Sequence, residues 1–237
     1  MPIVSKQGHL LYLANMGPLF TIKYAYFWFE ALALIACALC IPKFNSMRYR
    51  AFLLYLAIIV TYELASIFNW GFTNGNNLFD VCIEVSFEFV FFSYFIISGN
   101  SNMRQRRLFT LISAAIFIFT IIDIYWIQGI NKLCTYAILL QYVWLIVLVC
   151  QFFFRKMQQF KSDVSLARQP DFWAHTGLLF YFLCQFLFFA AFTTMAYKKI
   201  HHFSLLSNVI LGVSIVILYS CLAVSFLCFR RTTKLSS

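Results

Sequence analysis

Seven apolar runs of roughly 20 residues each, separated by short polar connectors, nearly fill this chain, and that succession constrains its fold more than any single motif. They extend over Thr21 to Ile41, Ala51 to Trp70, Leu78 to Ser98, Leu108 to Ile127, Leu133 to Phe154, Phe172 to Ala196 and Ser204 to Cys228. Backbone groups in hydrocarbon must be bonded within their own segment, so runs of this length read as helices. The expected fold is all-α: a polytopic membrane protein with seven transmembrane helices. Residues 1–20 form an outer N-terminal tail, 21–228 a single membrane domain and 229–237 a basic cytoplasmic tail. Apolar residues make up 62% of the chain and charged ones 11%, which leaves no room for a separate soluble catalytic domain.

Charge placement orients the spans. Thirteen of the 18 Lys and Arg residues fall on one side: Lys43, Arg48, Arg50, Arg104, Arg106, Arg107, Arg155, Lys156, Lys161, Arg168, Arg230, Arg231 and Lys234. Lys6, Lys23, Lys132, Lys198 and Lys199 lie on the other. The positive-inside rule then puts the N-terminus outside and the C-terminus in the cytoplasm. The net charge of +10 is thereby a topology signal, with the basic groups bordering anionic lipid headgroups, and a nucleic-acid partner is not expected.

Within this frame the acids are the anomaly. Asp80, Glu84 and Glu88 recur at four-residue spacing in the third span and so share one helical face. An ionised carboxylate in hydrocarbon costs on the order of 3 kcal/mol or more, so a proton, a cation, polar neighbours or a wet cavity must compensate each one. Glu30 in the first span and Glu63 in the second lie at comparable depth, with Asp80 at the outer rim and Asp123 of the fourth span close to it, so that all six acids fall in the outer half or near the middle. Asp163 and Asp171 belong to the cytoplasmic loop. The six acids together suggest an outward-facing cavity that binds a proton, a cation or a cationic small molecule, with Glu84 and Glu88 titrating as a coupled pair. Separate satisfaction of each acid by Lys23 or by Tyr and Ser hydroxyls is the simpler alternative.

Gln141, Gln185 and Asn208 stand at similar depths in the fifth, sixth and seventh spans and supply a secondary polar lining. The two triplets share an orientation if the fourth span is a linker, which suggests a 3+1+3 pseudo-repeat. His201 and His202 could join the carboxylates around a divalent metal, although adjacent residues diverge by about 100° on a helix. Cys37 and Cys40 lack a second Cys or His pair and read as packing. Cys82 and Cys134 fall near the outer surface, where a disulfide is open to them. No Lys occurs in the seventh span to carry a retinal Schiff base, and no cofactor is implied.

Two stretches carry a resemblance. Asn77-Leu-Phe-Asp-Val-Cys-Ile-Glu84 enters the third span, and Pro170-Asp-Phe-Trp173-x3-Gly177-x3-Tyr181-Phe182 enters the sixth. With the span pattern they resemble small bacterial seven-span membrane proteins similar to the membrane-sensor part of some histidine kinases. The resemblance implies a bacterial inner (cytoplasmic) membrane, a sensory or accessory role and a protein partner in the cytoplasm or membrane; no kinase domain follows the seventh span.

A receptor-like sensor or signalling accessory protein is therefore the leading expectation. A proton- or cation-coupled transporter or channel is the alternative, weakened because Pro2, Pro18, Pro42 and Pro170 all lie outside the span interiors, so broken helices are not signalled. A structural subunit of a membrane complex is a third reading. An enzyme is not expected, because no nucleophile with an adjacent base, no phosphate loop and no secure metal set occurs.

Overall fold

The computed structural model describes residues 25–44, 46–68, 78–129, 133–158, 169–197 and 203–232. Seven helices run through them: α1 (Ala25–Cys40), α2 (Met47–Ile67), α3 (Leu78–Ser98), α4 (Met103–Ile122), α5 (Thr135–Gln158), α6 (Pro170–Tyr197) and α7 (Phe203–Thr232). A 3-10 turn, Ile41–Lys43, follows α1, and a π-helical turn, Asp123–Ile127, extends α4. No strand occurs among the described residues.

Six of the seven helices are long and apolar enough to cross a membrane. The exception is α2, in which Arg48, Arg50 and Glu63 dilute the apolar run. The helices also depart from the expected spans at their ends. α4 begins at Met103, five residues before the expected start, because Asn102 caps it: its side-chain oxygen accepts from the N–H groups of Arg104 and Gln105. Arg104, Arg106 and Arg107 are therefore helical and lie in its first turns. α6 starts at Pro170, where a missing N–H costs nothing, and so Asp171 is a first-turn residue of α6 and not a loop acid.

The packing follows a closed order. α1 lies beside α2, α2 beside α3, α3 beside α5, α5 beside α6, α6 beside α7, and α7 returns to α1. α4 stands outside this ring, against α3 and α5. Its polarity is inverted relative to a helix in water: Ser113 and Thr120 are buried, while Leu111, Ile118, Ile121 and Ile122 face outward. The inward polar groups meet α5, since Trp144 Nε1–H donates to Ser113 Oγ over 2.9 Å and Gln141 Nε2–H donates to Thr120 Oγ1 over 2.7 Å. Such bonds between helices are how apolar-coated segments attach to one another without a hydrophobic driving force.

Ring packing fills the interior. Phe52, Phe95 and Phe226 bring α2, α3 and α7 together, with ring centroids 4.8 Å apart for Phe52–Phe95 and 5.5 Å for Phe52–Phe226. α6 and α7 approach closely at Gly177, where an added Cβ would lie 2.7 Å from Cys221 Cβ. The two ends of the bundle differ in chemistry. At one, a disulfide joins Cys82 in the first turns of α3 to Cys134 just before α5, with the Cα atoms 6.1 Å apart. At the other lie Arg48, Arg155, Lys156 and Asp171.

Candidate functional site

Three of the ring helices bring four glutamates together. Glu30 comes from α1, Glu63 from α2, and Glu84 and Glu88 from successive turns of α3. All four are within electrostatic reach of one another. Glu30 is 2% exposed and Glu88 6% exposed, whereas Glu63 and Glu84 are half-buried. Glu84 shares with Ile58, Ile59, Tyr62, Ile83 and Phe87 the wall of a hollow of about 270 Å³ between α2 and α3. That hollow is mostly apolar, and of the four glutamates Glu84 alone lines it.

Glu88 is the best-coordinated member. The Tyr181 hydroxyl of α6 lies 2.9 Å from Oε2 and 3.2 Å from Oε1, and the Tyr55 hydroxyl of α2 donates to Oε1 over 3.2 Å. Tyr219 of α7 and Tyr142 of α5 are buried within reach of the same carboxylate. Glu30 is left differently, with Oε2 buried and without a hydrogen-bond partner among the described residues. For Glu88 the bonding matches the simpler alternative, satisfaction by Tyr hydroxyls, although no particular tyrosine is named for it from the sequence. The signal of these tyrosines was available: a phenol in the interior of an apolar helix needs a partner as much as a carboxylate does.

The remaining candidates separate from this group. Asp123 is fully buried, but its Oδ2 accepts from the Ala137 N–H over 3.1 Å, and Gln128 Oε1 accepts from the Thr135 N–H over 2.8 Å. Together they satisfy amides at the start of α5, which otherwise have no intrahelical acceptors. Gln141 turns toward Thr120 of α4 and not toward the glutamates. Gln185 is buried in α6. Asp80 lies in the first turn of α3 and Asn208 in α7, with side chains outside the described set; His201 and His202, the metal candidates, lie outside the described residues altogether. Among the described residues no three His, Cys, Asp or Glu side chains converge as a metal site. Cys37 and Cys40 are buried and form no disulfide.

A second polar cluster, not foreseen, occupies the opposite end. Arg48 of α2 donates to both carboxylate oxygens of Asp171 at 2.9 Å, and the Tyr49 hydroxyl donates to Oδ1 over 2.6 Å. The guanidinium carbon lies 5.2 Å from the Tyr49 ring centroid and 5.6 Å from that of Phe95. A Cβ at Gly99 would collide with this guanidinium, so the glycine after α3 makes room for it. His175, one turn beyond Asp171, donates through Nδ1–H to the Asp171 carbonyl over 2.7 Å and stacks on Phe152 with centroids 3.6 Å apart. Ser225 of α7 closes the cluster by donating to the Pro170 carbonyl over 2.8 Å.

α2 and α6 are not neighbours in the ring, yet both clusters join them: Arg48–Asp171 directly, and Tyr55–Glu88–Tyr181 through a carboxylate of α3. Among the described residues the ion pair is confined to the first. No protein-family model, curated protein or solved structure matches this chain.

Proposed function

We propose that the chain is a receptor-like sensor or signalling accessory protein of the bacterial inner membrane, with seven spans, the N-terminus outside and the C-terminus cytoplasmic. In this reading α2 is the seventh span. Its 21 residues reach about 30 Å, enough for the hydrocarbon core. The charges that dilute its apolar run are Arg48 and Arg50 in its first turn and Glu63 near its other end, while Tyr49 and Tyr55 point inward and Met47, Leu54 and Ile58 face outward. The distribution of Lys and Arg supports the orientation, and the Cys82–Cys134 disulfide at the opposite end suits an oxidising outer face. The peripheral position of α4 is compatible with a linker in a 3+1+3 arrangement.

The observation that carries the function is Glu88, enclosed by α3 and bonded from α2 and α6 at once. Four carboxylates in a low-dielectric interior repel one another unless a proton or a cation joins them. Binding of a proton, a cation or a cationic small molecule at Glu88, with Glu84, Glu30 and Glu63 around it, changes what Tyr55 and Tyr181 donate to. It thereby biases the relation of α2 to α6, and a protein partner at the basic end reads the change. The ligand shifts this equilibrium only by its different affinity for the two arrangements.

The test is thermal unfolding of the purified protein in nanodiscs while protons, monovalent and divalent cations and organic amines are titrated. The wild type is expected to shift with at least one of them, and Glu88→Gln to lose that shift. An identical shift in Glu88→Gln and wild type would refute the site. A cation-coupled transporter is the second reading, because intramembrane acids also mark ion paths. Proteoliposome flux that disappears in Glu88→Gln would favour it.

A further inference from the structure

At the Asp171 end, the turn between α3 and α4, the last turns of α5 and the start of α6 enclose a polar pocket of about 450 Å³. Its charges do not cancel. Asp171 is in the wall, but Arg48 holds both of its oxygens and Tyr49 a further hydrogen bond. Arg155 and Lys156 also line the pocket, and no carboxylate pairs with either among the described residues. Arg155 Nε–H reaches only the Gln151 carbonyl of its own helix, at 3.4 Å. Lys156 Nζ donates to Gln169 Oε1 over 3.2 Å and retains further donors.

The neutral groups tell the same story by a different route. Asn100 Oδ1 accepts from the Asn102 N–H, Asn102 Oδ1 accepts from the first amides of α4, and Gln105 Oε1 accepts from Asn100 Nδ2–H. The turn therefore uses its amide oxygens internally. The NH₂ groups of Asn102 and Gln105 have no acceptor among the described residues, so they add free donors to the two cations of the pocket wall. Two uncompensated cations and a row of donors select a ligand that brings acceptor oxygens and negative charge.

We infer that this pocket binds a terminal phosphate group able to carry two negative charges, held by Arg155 and Lys156 and oriented by the amides of Asn102 and Gln105. Two cations match such a dianion better than the single charge of a diester. The ligand is either inorganic phosphate or the headgroup of a phosphatidic acid. The second source rests on the membrane orientation proposed above, which puts this end level with the cytoplasmic headgroups; the first does not.

The experiment compares the full chain in phosphatidylcholine nanodiscs alone, with added phosphatidic acid, with added phosphatidylglycerol, and with inorganic phosphate in solution. Binding is read by the shift in thermal unfolding. The expected order is phosphatidic acid above phosphatidylglycerol, with apparent affinity lowered about tenfold or more in Arg155→Gln/Lys156→Gln and little changed in Arg104→Gln/Arg107→Gln, which removes exposed cations outside the pocket. A matching response to inorganic phosphate alone assigns the site to the soluble ion; a response to the lipid alone assigns it to the headgroup. If the double variant does not fold, Gln105→Glu, which puts an acceptor in place of a donor, is expected to weaken binding, and Arg155→Lys to retain it. Equal stabilisation by the two lipids, equal losses in the two double variants, or no response to either phosphatidic acid or inorganic phosphate would overturn the assignment. None of these readouts involves Glu88, so their failure leaves the glutamate reading standing.

Discussion

Glu88 and Asp171 are both carboxylates that tie α2 to α6, but they are satisfied in opposite ways. Asp171 meets a guanidinium, a phenol and the edge of the bundle, and the ion pair retains some water: its side chains are 17% and 23% exposed. Glu88 lies deeper, meets two phenols, and has three other acids for company. The first cluster is balanced in charge, although the buried Nε2 of His175 has no partner among the described residues. In the second, Glu88 is bonded through both oxygens, but Glu30 Oε2 has no partner among the described residues and the charge of the group is not balanced. An electrostatically closed cluster stabilises one arrangement of helices, whereas an open one leaves room for something outside the chain to decide, which is why the glutamates and not the ion pair are the candidate sensor.

The largest test of this contrast is Asp171→Ala. It leaves Arg48 without its counter-charge and should cost about 3 kcal/mol in thermal or denaturant unfolding. Arg48→Met/Asp171→Leu should recover most of that loss, because the penalty lies in the unpaired charge. A small effect of Asp171→Ala would mean that the pair is not a clamp.

Next in size is Gly177→Val, expected to cost about 2 kcal/mol by overpacking where α6 meets Cys221 of α7. It sharpens the comparison by asking whether α6 is fixed against α7, the base from which both links to α2 are made. Tolerance of valine without loss of melting temperature would show that the helices separate easily there.

Tyr181→Phe should cost about 1–2 kcal/mol and Tyr55→Phe less, since Tyr181 reaches both oxygens of Glu88 and Tyr55 only one. The reverse order would place the main anchor of Glu88 on α2. The smallest expected change is for Glu30→Met, which should leave stability unaltered or raise it, because it removes a buried oxygen that has no partner. A loss as large as that of Asp171→Ala would contradict the distinction between the two clusters.

Much of the glutamate group is legible in the sequence because its signals are local or additive. The spacing of Glu84 and Glu88 fixes a shared helical face, and once the spans are oriented, depth alone aligns Glu30 and Glu63 with them. Asp123, nearer the rim, has a different fate: the π-helical turn and the short connection to α5 give it a nearer task, the open amides of the next helix. Arg48 and Asp171 lie 123 positions apart, and neither has a periodicity that points to the other. Their pairing depends on Pro170 starting α6 early enough to draw Asp171 out of the loop. The closed helix order is likewise invisible to hydropathy, which reports that a segment is apolar and not what it packs against.

Arg48 and Tyr55 are two turns apart on α2, and Asp171 and Tyr181 nearly three on α6, so the two links stand on the order of 10–15 Å apart along the helices. Changes at that distance without shared partners add to within about 0.5 kcal/mol. A double-mutant cycle of Glu88→Gln and Asp171→Asn, read by reversible unfolding in nanodiscs, tests most directly whether α2 and α6 transmit between them. The expected result is a coupling energy above about 0.5 kcal/mol, since each link sets the helix separation that the other must span. Strict additivity would contradict it, leaving two independent polar clusters in one bundle.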